Sequence, residues 1–253
     1  MNMNSYARLA SFLALLTPLL ACSTQKTGDA DSAAMNSPGT PGSCPTNNSG
    51  IVVPAGFCVT VFADHIGEAR HVAVAPNGDV YVAIQAPGSD EKASTNAGTT
   101  PAVIALRDTT HDGVADLTVT IGDHGNTGVA VYSNYLYVDK GPQLVRYPLP
   151  SGQLQITAQP EVIVTGIPFE PGHRARNFAI GSDGALYLNV GSATNSCQLK
   201  DRTPESKGID PCTELNTRAG IWRFDANKTN QQFTPGALRD RHSQRDGCCF
   251  RTR

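Results

Sequence analysis

From about residue 51 to residue 236 the chain is built of short runs in which apolar and polar residues alternate, separated by turns bearing Gly, Asn or Asp. Three segments share one pattern: HVAVAPNGDVYVA (71–83), GVAVYSNYLYVD (128–139) and NFAIGSDGALYLNV (177–190). Each is an alternating run, a turn, then a second alternating run holding a Tyr. Period-two alternation on both sides of a tight turn predicts β-hairpins, with Asn77-Gly78 and Asp183-Gly184 as turn residues. Further strand-like runs lie at 57–63, 102–108, 116–122, 143–149, 161–166 and 220–226. Tyr81, Tyr137 and Tyr187 mark one position recurring at intervals of about 50 residues, so each unit holds about four short strands. That period and strand number predict an all-β fold of propeller blades, three to four of them in residues 51–236. A β-sandwich would not repeat one hairpin at a near-constant interval.

The first 50 residues follow a different pattern. Arg8 precedes an apolar stretch from Leu9 to Ala21, broken by Pro18 and too short to span a bilayer comfortably; this is the pattern of an export signal. It ends in Leu19-Leu20-Ala21-Cys22, which resembles a bacterial lipoprotein box, so residues 1–22 are expected to be a signal peptide with Cys22 lipidated; an ordinary cleaved signal is the alternative. Residues 23–50, rich in Ser, Thr, Gly, Pro, Ala and Asn, suit a flexible linker holding a domain off a membrane. The expected location is therefore outside the cytoplasm, periplasmic or at the cell surface, with the lipid as membrane contact.

Composition removes other classes. Of 253 residues 40% are hydrophobic and 17% charged, enough apolar material to exclude wholesale disorder. The net charge of −2 provides no basic face for nucleic acid. Export permits disulfides. Cys44 and Cys58 are close enough in sequence to pin the linker to the first run, and Cys197 and Cys212 flank a polar loop that needs a staple. Zinc is disfavoured, because no CxxC and no suitably spaced His accompany these Cys. Asp108, Asp112 and Asp116 have some of the spacing of a calcium loop, but Val119 stands where such a loop ends in Glu, which favours a polar hairpin.

The opening VPAGFCVTVFADHIGEARHVAVAPNGDVYVA and the segment HRARNFAIGSDGALYLNVGSATNSC together resemble the glucose/sorbosone dehydrogenase family, the soluble quinoprotein sugar dehydrogenases. The resemblance covers about residues 51–236. It implies a six-bladed β-propeller of which this chain holds the first three to four blades, with pyrroloquinoline quinone (PQQ) and calcium as cofactors and a sugar and an electron acceptor as partners. His173, eight residues before the Gly of the Gly181–Tyr187 hairpin, occupies the place of the family's catalytic base. An imidazole is suited to take a hydroxyl proton near neutral pH while the quinone takes the hydride. Arg174 and Arg176 suit an anionic quinone or substrate and, equally, solvent; the role of Arg70 is open. Where glucose enzymes of the family carry an Asp to orient the His, Ser192 follows Val190-Gly191. That departure favours the sorbosone-type branch and leaves the orientation of His173 by a carboxylate in doubt. The other readings are a non-catalytic propeller that binds a sugar or protein, and a lactonase-like propeller.

Residues 237–253 lose the alternation and carry Cys248-Cys249. A back-translation from Gly236 shifted by one base reads ERYATGIRNAMAA, which resembles the family's continuation. The segment is therefore expected to be out of frame, and the chain inactive without the Arg-Asn that holds PQQ in the family.

Overall fold

A computed structural model of the chain describes residues 50–86, 100–169 and 172–235, all within the unit Cys44–Arg253. The expected signal peptide, Cys22, most of the linker with Cys44, and residues 237–253 lie outside the described residues.

The described residues are almost entirely strand and turn. β1 (Ala69–Val74), β2 (Val80–Ile84), β3 (Val103–Arg107) and β4 (Leu117–Ile121) form one antiparallel meander in chain order. β5 (Val129–Tyr132), β6 (Tyr135–Asp139), β7 (Gln143–Pro148) and β8 (Glu161–Thr165) form a second. β9 (Phe178–Ile180), β10 (Ala185–Val190) and β11 (Gly220–Asp225) form a third. The short β12 (Gln231–Gln232) returns to pair parallel with β8, extending the second sheet rather than the third. Gln231 ties the two together: its Nε2 donates to Asp225 O (2.7 Å) and Lys228 O (2.9 Å), and its Oε1 accepts from Asp225 N (3.0 Å).

The three hairpins use two kinds of turn. Gly78 N–H donates to Ala75 O and Gly184 N–H to Gly181 O, and both glycines have positive φ (89° and 80°). These are three-residue loops in which only the last residue needs the left-handed region, the place where Gly is least strained. The middle hairpin turns on Ser133 and Asn134, both at positive φ (50° and 63°), as a two-residue turn matched to strand twist requires.

The sheets stack face to face. Tyr81, Ala83, Val103, Ala105 and Ile121 of the first pack on Leu136, Val138, Val145 and Tyr147 of the second. Tyr137, Leu144, Ile163 and Val164 on the other face of the second pack on Leu186, Leu188, Val190 and Trp222 of the third. Both faces of the middle sheet are therefore buried, which is why β6 reads as nearly unbroken apolar sequence. The first two of the repeated Tyr point to the next sheet. Tyr81 and Tyr137 are buried between sheets, whereas Tyr187 is 45% exposed beside Ile221 at 59%, on a face that no described sheet covers.

The run 57–63, expected as a strand, forms none. It crosses the outer face of the first sheet and, with Ile66, lays Phe62 and Ala63 on Val82, Ile84, Ile104 and Leu106. Its apolar positions are satisfied by a sheet face rather than by pairing at an edge.

Candidate functional site

The first strands of the three sheets, β1, β5 and β9, lie side by side, so the segments leading into them converge. Ala69, Arg70 and His71, Thr127, and Ala175 and Asn177 line a cavity of about 220 Å³ there. A larger cavity of about 490 Å³ opens among the hairpin turns, lined by Asn77, Asp79, Tyr132 and Asn134 among others, and it contains no His, Lys or Arg.

His173 lies two residues before the cavity-lining Ala175. Its backbone N–H donates to Ser192 O (2.9 Å), and its Nδ1 is 2.8 Å from Ser192 Oγ. Ser192 Oγ in turn donates to Thr194 O (2.7 Å). Two glycines permit this approach: a Cβ on Gly191 would collide with His173 O, and one on Gly172, itself at φ +95°, with Ala193 O. Glu214, in the 3-10 turn Thr213–Asn216, accepts from Ala193 N (2.8 Å), Thr194 N (3.0 Å) and Thr194 Oγ1 (2.7 Å). Cys197 N–H donates to Thr194 Oγ1 (2.8 Å), and Cys197 is joined by a disulfide to Cys212, with Cα atoms 6.0 Å apart. Cys58 is likewise disulfide-bonded; Cys44 is outside the described residues.

Arg174 and Arg176 are not among the residues that line the cavity with Ala175 and Asn177. Both guanidinium groups sit over the Phe169 ring, 5.5 and 5.1 Å from its centre. Arg176 is wholly buried, and its Nε and Nη2 have no hydrogen-bond partner among the described residues. Burial lowers its pKa, partly offset by the charge of Asp139. Asp139, 1% exposed at the end of β6, accepts from Asn126 Nδ2 (2.6 Å), Thr127 N (3.4 Å) and Gly141 N (2.9 Å). Burial pushes its pKa up to about 6 against the pull of Arg176 and those donors. Asn126 Nδ2 also donates to Arg174 O (2.9 Å), and Arg176 N–H to Thr127 Oγ1 (2.6 Å). A buried polar cluster thus welds the His173–Arg176 segment to the second sheet. Neither this cluster nor Glu214 was expected from the sequence; a carboxylate closing the apolar run of β6 was the one visible sign.

Among the described residues no set of side chains fits a calcium ion. Asp108 accepts from the backbone N–H of His111, Asp112 and Gly113, and Asp116 from Thr109 and Thr110, so both carboxylates are spent on their own loop. The one group of potential ligands gathered among the described residues is Cys197, Cys212 and Glu214, and both sulfurs are in the disulfide. For an anionic quinone the donor chemistry does fit: Arg70, His71 and Asn177 all line the cavity, and His173, which does not line it, stands two residues before its Ala175.

Residues 46–248 match a family described as a domain of unknown function, DUF7133. The chain belongs to the DUF7133 family. A comparison with curated proteins found no match to the chain. Among solved structures, it is similar to the holo form of the pyranose dehydrogenase PQQ domain from Coprinopsis cinerea, with a TM-score of 0.54 and 18% identity over 72% of this chain. It is also similar to the calcium structure of a Trichoderma reesei protein of carbohydrate-active enzyme family AA12, with a TM-score of 0.53 and 15% identity over 71% of this chain. The match covers 39% of the first structure and 42% of the second. What the DUF7133 chain shares with them is the fold: an all-β, propeller-like array of antiparallel sheets.

Proposed function

We propose that this chain carries the N-terminal portion of an exported PQQ-dependent sugar dehydrogenase, a six-bladed propeller in its full form, in which His173 is the general base. The observation that carries the reading is the state of the His173 ring. Nδ1 is engaged by Ser192, and no described residue hydrogen-bonds Nε2, so one ring nitrogen is held while the other can meet a substrate hydroxyl. The propeller-like fold supports the reading, as do Arg70 and His71 at the cavity that Ala175 lines. The uncovered face at Tyr187 and Ile221 supports the view that further sheets complete the domain.

In this mechanism Nε2 accepts the proton of the sugar hydroxyl as the C–H bond breaks. Arg70 and His71 would hold the carboxylates of a quinone, with Asn177 as an amide donor. A bound quinone supplies the hydride acceptor that no side chain can provide. An external electron acceptor then completes turnover. Lipidation of Cys22 would keep the enzyme at the membrane surface, periplasmic or outward-facing. Cys22→Ala should therefore move the protein from the membrane fraction to the soluble one; an unchanged distribution refutes the anchor.

The test is reconstitution with PQQ and a dye acceptor. It uses this chain and a longer protein whose reading register is shifted by one base after Gly236. The longer protein should oxidise an aldose or related pyranose only with PQQ, and this chain should not. His173→Ala in the longer protein should lower turnover by about 10²–10⁴-fold, the range for a lost general base, with quinone binding retained. Sugar binding without turnover, or lactone hydrolysis without quinone, would overturn the assignment.

A further inference from the structure

The two short contacts of Ser192 fix more than a position. A hydroxyl has one proton to give. Thr194 O is a carbonyl and can only accept, so the 2.7 Å contact consumes the Ser192 proton. The 2.8 Å contact between Ser192 Oγ and His173 Nδ1 then needs its proton from the ring. A neutral His173 must therefore carry hydrogen on Nδ1 and a lone pair on Nε2. The hydroxyl does what an orienting carboxylate does at other catalytic His, without adding a negative charge beside the ring.

The acceptor end of this relay is itself held. Glu214 takes both N–H groups of the Ala193-Thr194 turn and the Thr194 hydroxyl, all within 3.0 Å. That fixes the direction of Thr194 O. Two residues from Glu214 in sequence, Cys212 is tied by the disulfide to Cys197, whose N–H donates back to Thr194 Oγ1. The turn that aims Ser192 is closed on itself by one carboxylate and one covalent bond.

We propose that Ser192 is the positioning residue of His173, imposing the Nδ1–H tautomer so that Nε2 is the ring's proton acceptor, and that Glu214 holds Ser192 in register. The proposal deepens the reading of His173 as base and rests on it for its catalytic meaning. The tautomer itself does not depend on that reading and can be observed without turnover.

The experiment is nitrogen-15 NMR of this chain labelled at its six histidines, recorded above neutral pH, with His173 assigned by the signal lost in His173→Gln. The expected result is a protonated Nδ1 and an unprotonated Nε2 for His173. Ser192→Ala should shift the ratio of the two tautomers toward Nε2–H by about five-fold or more, the worth of one ordinary hydrogen bond. Ser192→Thr, which keeps the hydroxyl, should restore it, and Glu214→Gln should weaken it in the same direction as Ser192→Ala. A wild-type ring protonated on Nε2 overturns the proposal whether or not any variant folds. So does a Ser192→Ala protein, folded by circular dichroism, with the wild-type ratio. In the quinone-loaded longer protein Ser192→Ala should lower kcat with KM little changed. If the tautomer is as expected but His173→Ala there keeps full turnover, the relay stands and the base assignment fails.

Discussion

Asp139 is a buried carboxylate whose charge the fold only partly compensates, and its removal has a pH signature. The group is 1% exposed, and burial raises its pKa from an ordinary 3.8 to about 6 despite three hydrogen bonds and the field of Arg176. The folded state therefore holds the Asp139 proton at pH values where the unfolded chain has released it. Between about pH 4 and pH 6 the folded state binds more protons, so the contribution of this group to stability falls as pH rises. Below that window the cost is absent, and above it the cost is fully present. Roughly two pK units correspond to about 3 kcal/mol, of which about 2–3 kcal/mol develops between pH 4 and pH 7.5. Asp139→Asn has no such titration. Its amide still accepts through one oxygen, but its NH₂ must face a donor, either Gly141 N–H or the Asn126 amide with Thr127 N–H. At pH 4 the protonated Asp139 meets the same donors with its own O–H, so the two proteins should be close in stability there. The variant should become the more stable one by about 2–3 kcal/mol by pH 7.5. Urea denaturation of both proteins at half-unit pH steps measures it. A stability difference that stays flat from pH 4 to pH 7.5 would show that Asp139 is not a strained carboxylate.

Asp79, 2% exposed in its side chain, is paired with Arg107 by bonds of 2.6 and 2.7 Å, which hold its carboxyl below the usual range. Arg107→Leu should cost about 3 kcal/mol near neutral pH, as expected when one partner of a buried pair is removed. The loss should shrink as the pH falls below about 4 and Asp79 takes up a proton, as urea titrations at two pH values would show. Replacing Cys197 and Cys212 by Ser together opens a loop closed over a separation of 15 residues, for an expected loss of about 3 kcal/mol in the chain-entropy account, read as a lower urea midpoint. Gly191→Ala places a methyl against His173 O and should cost about 1–3 kcal/mol by overpacking while displacing the His173 NMR signals; unchanged signals would mean that the close approach is not needed.

Much of the architecture was legible in the chain because a half-buried strand writes its own period. The alternation at 102–108, 116–122, 143–149 and 161–166 became β3, β4, β7 and β8, and the repeated Tyr marked one strand position in each sheet. The same signal failed at 57–63, because alternation reports that one side is apolar, not whether that side meets a sheet edge or a sheet face. Nor could it say that β12 would return to β8, a pairing set by where Gln231 finds backbone partners. At the site, His173 and the Ser192 that follows Val190-Gly191 were visible as residues, but their partnership was not. It depends on Gly172 and Gly191 letting two backbones touch and on Glu214 reaching back 20 residues to Thr194. Arg174 and Arg176 show the converse. Two arginines beside a candidate base suggest a ligand, and only packing decides that their guanidinium groups lie over Phe169, with Arg176 buried near Asp139. Local pattern is a property of the backbone's period and survives in the sequence. Which polar groups meet is decided by the stacking of the sheets, because burial makes a buried donor or acceptor costly until it finds a partner.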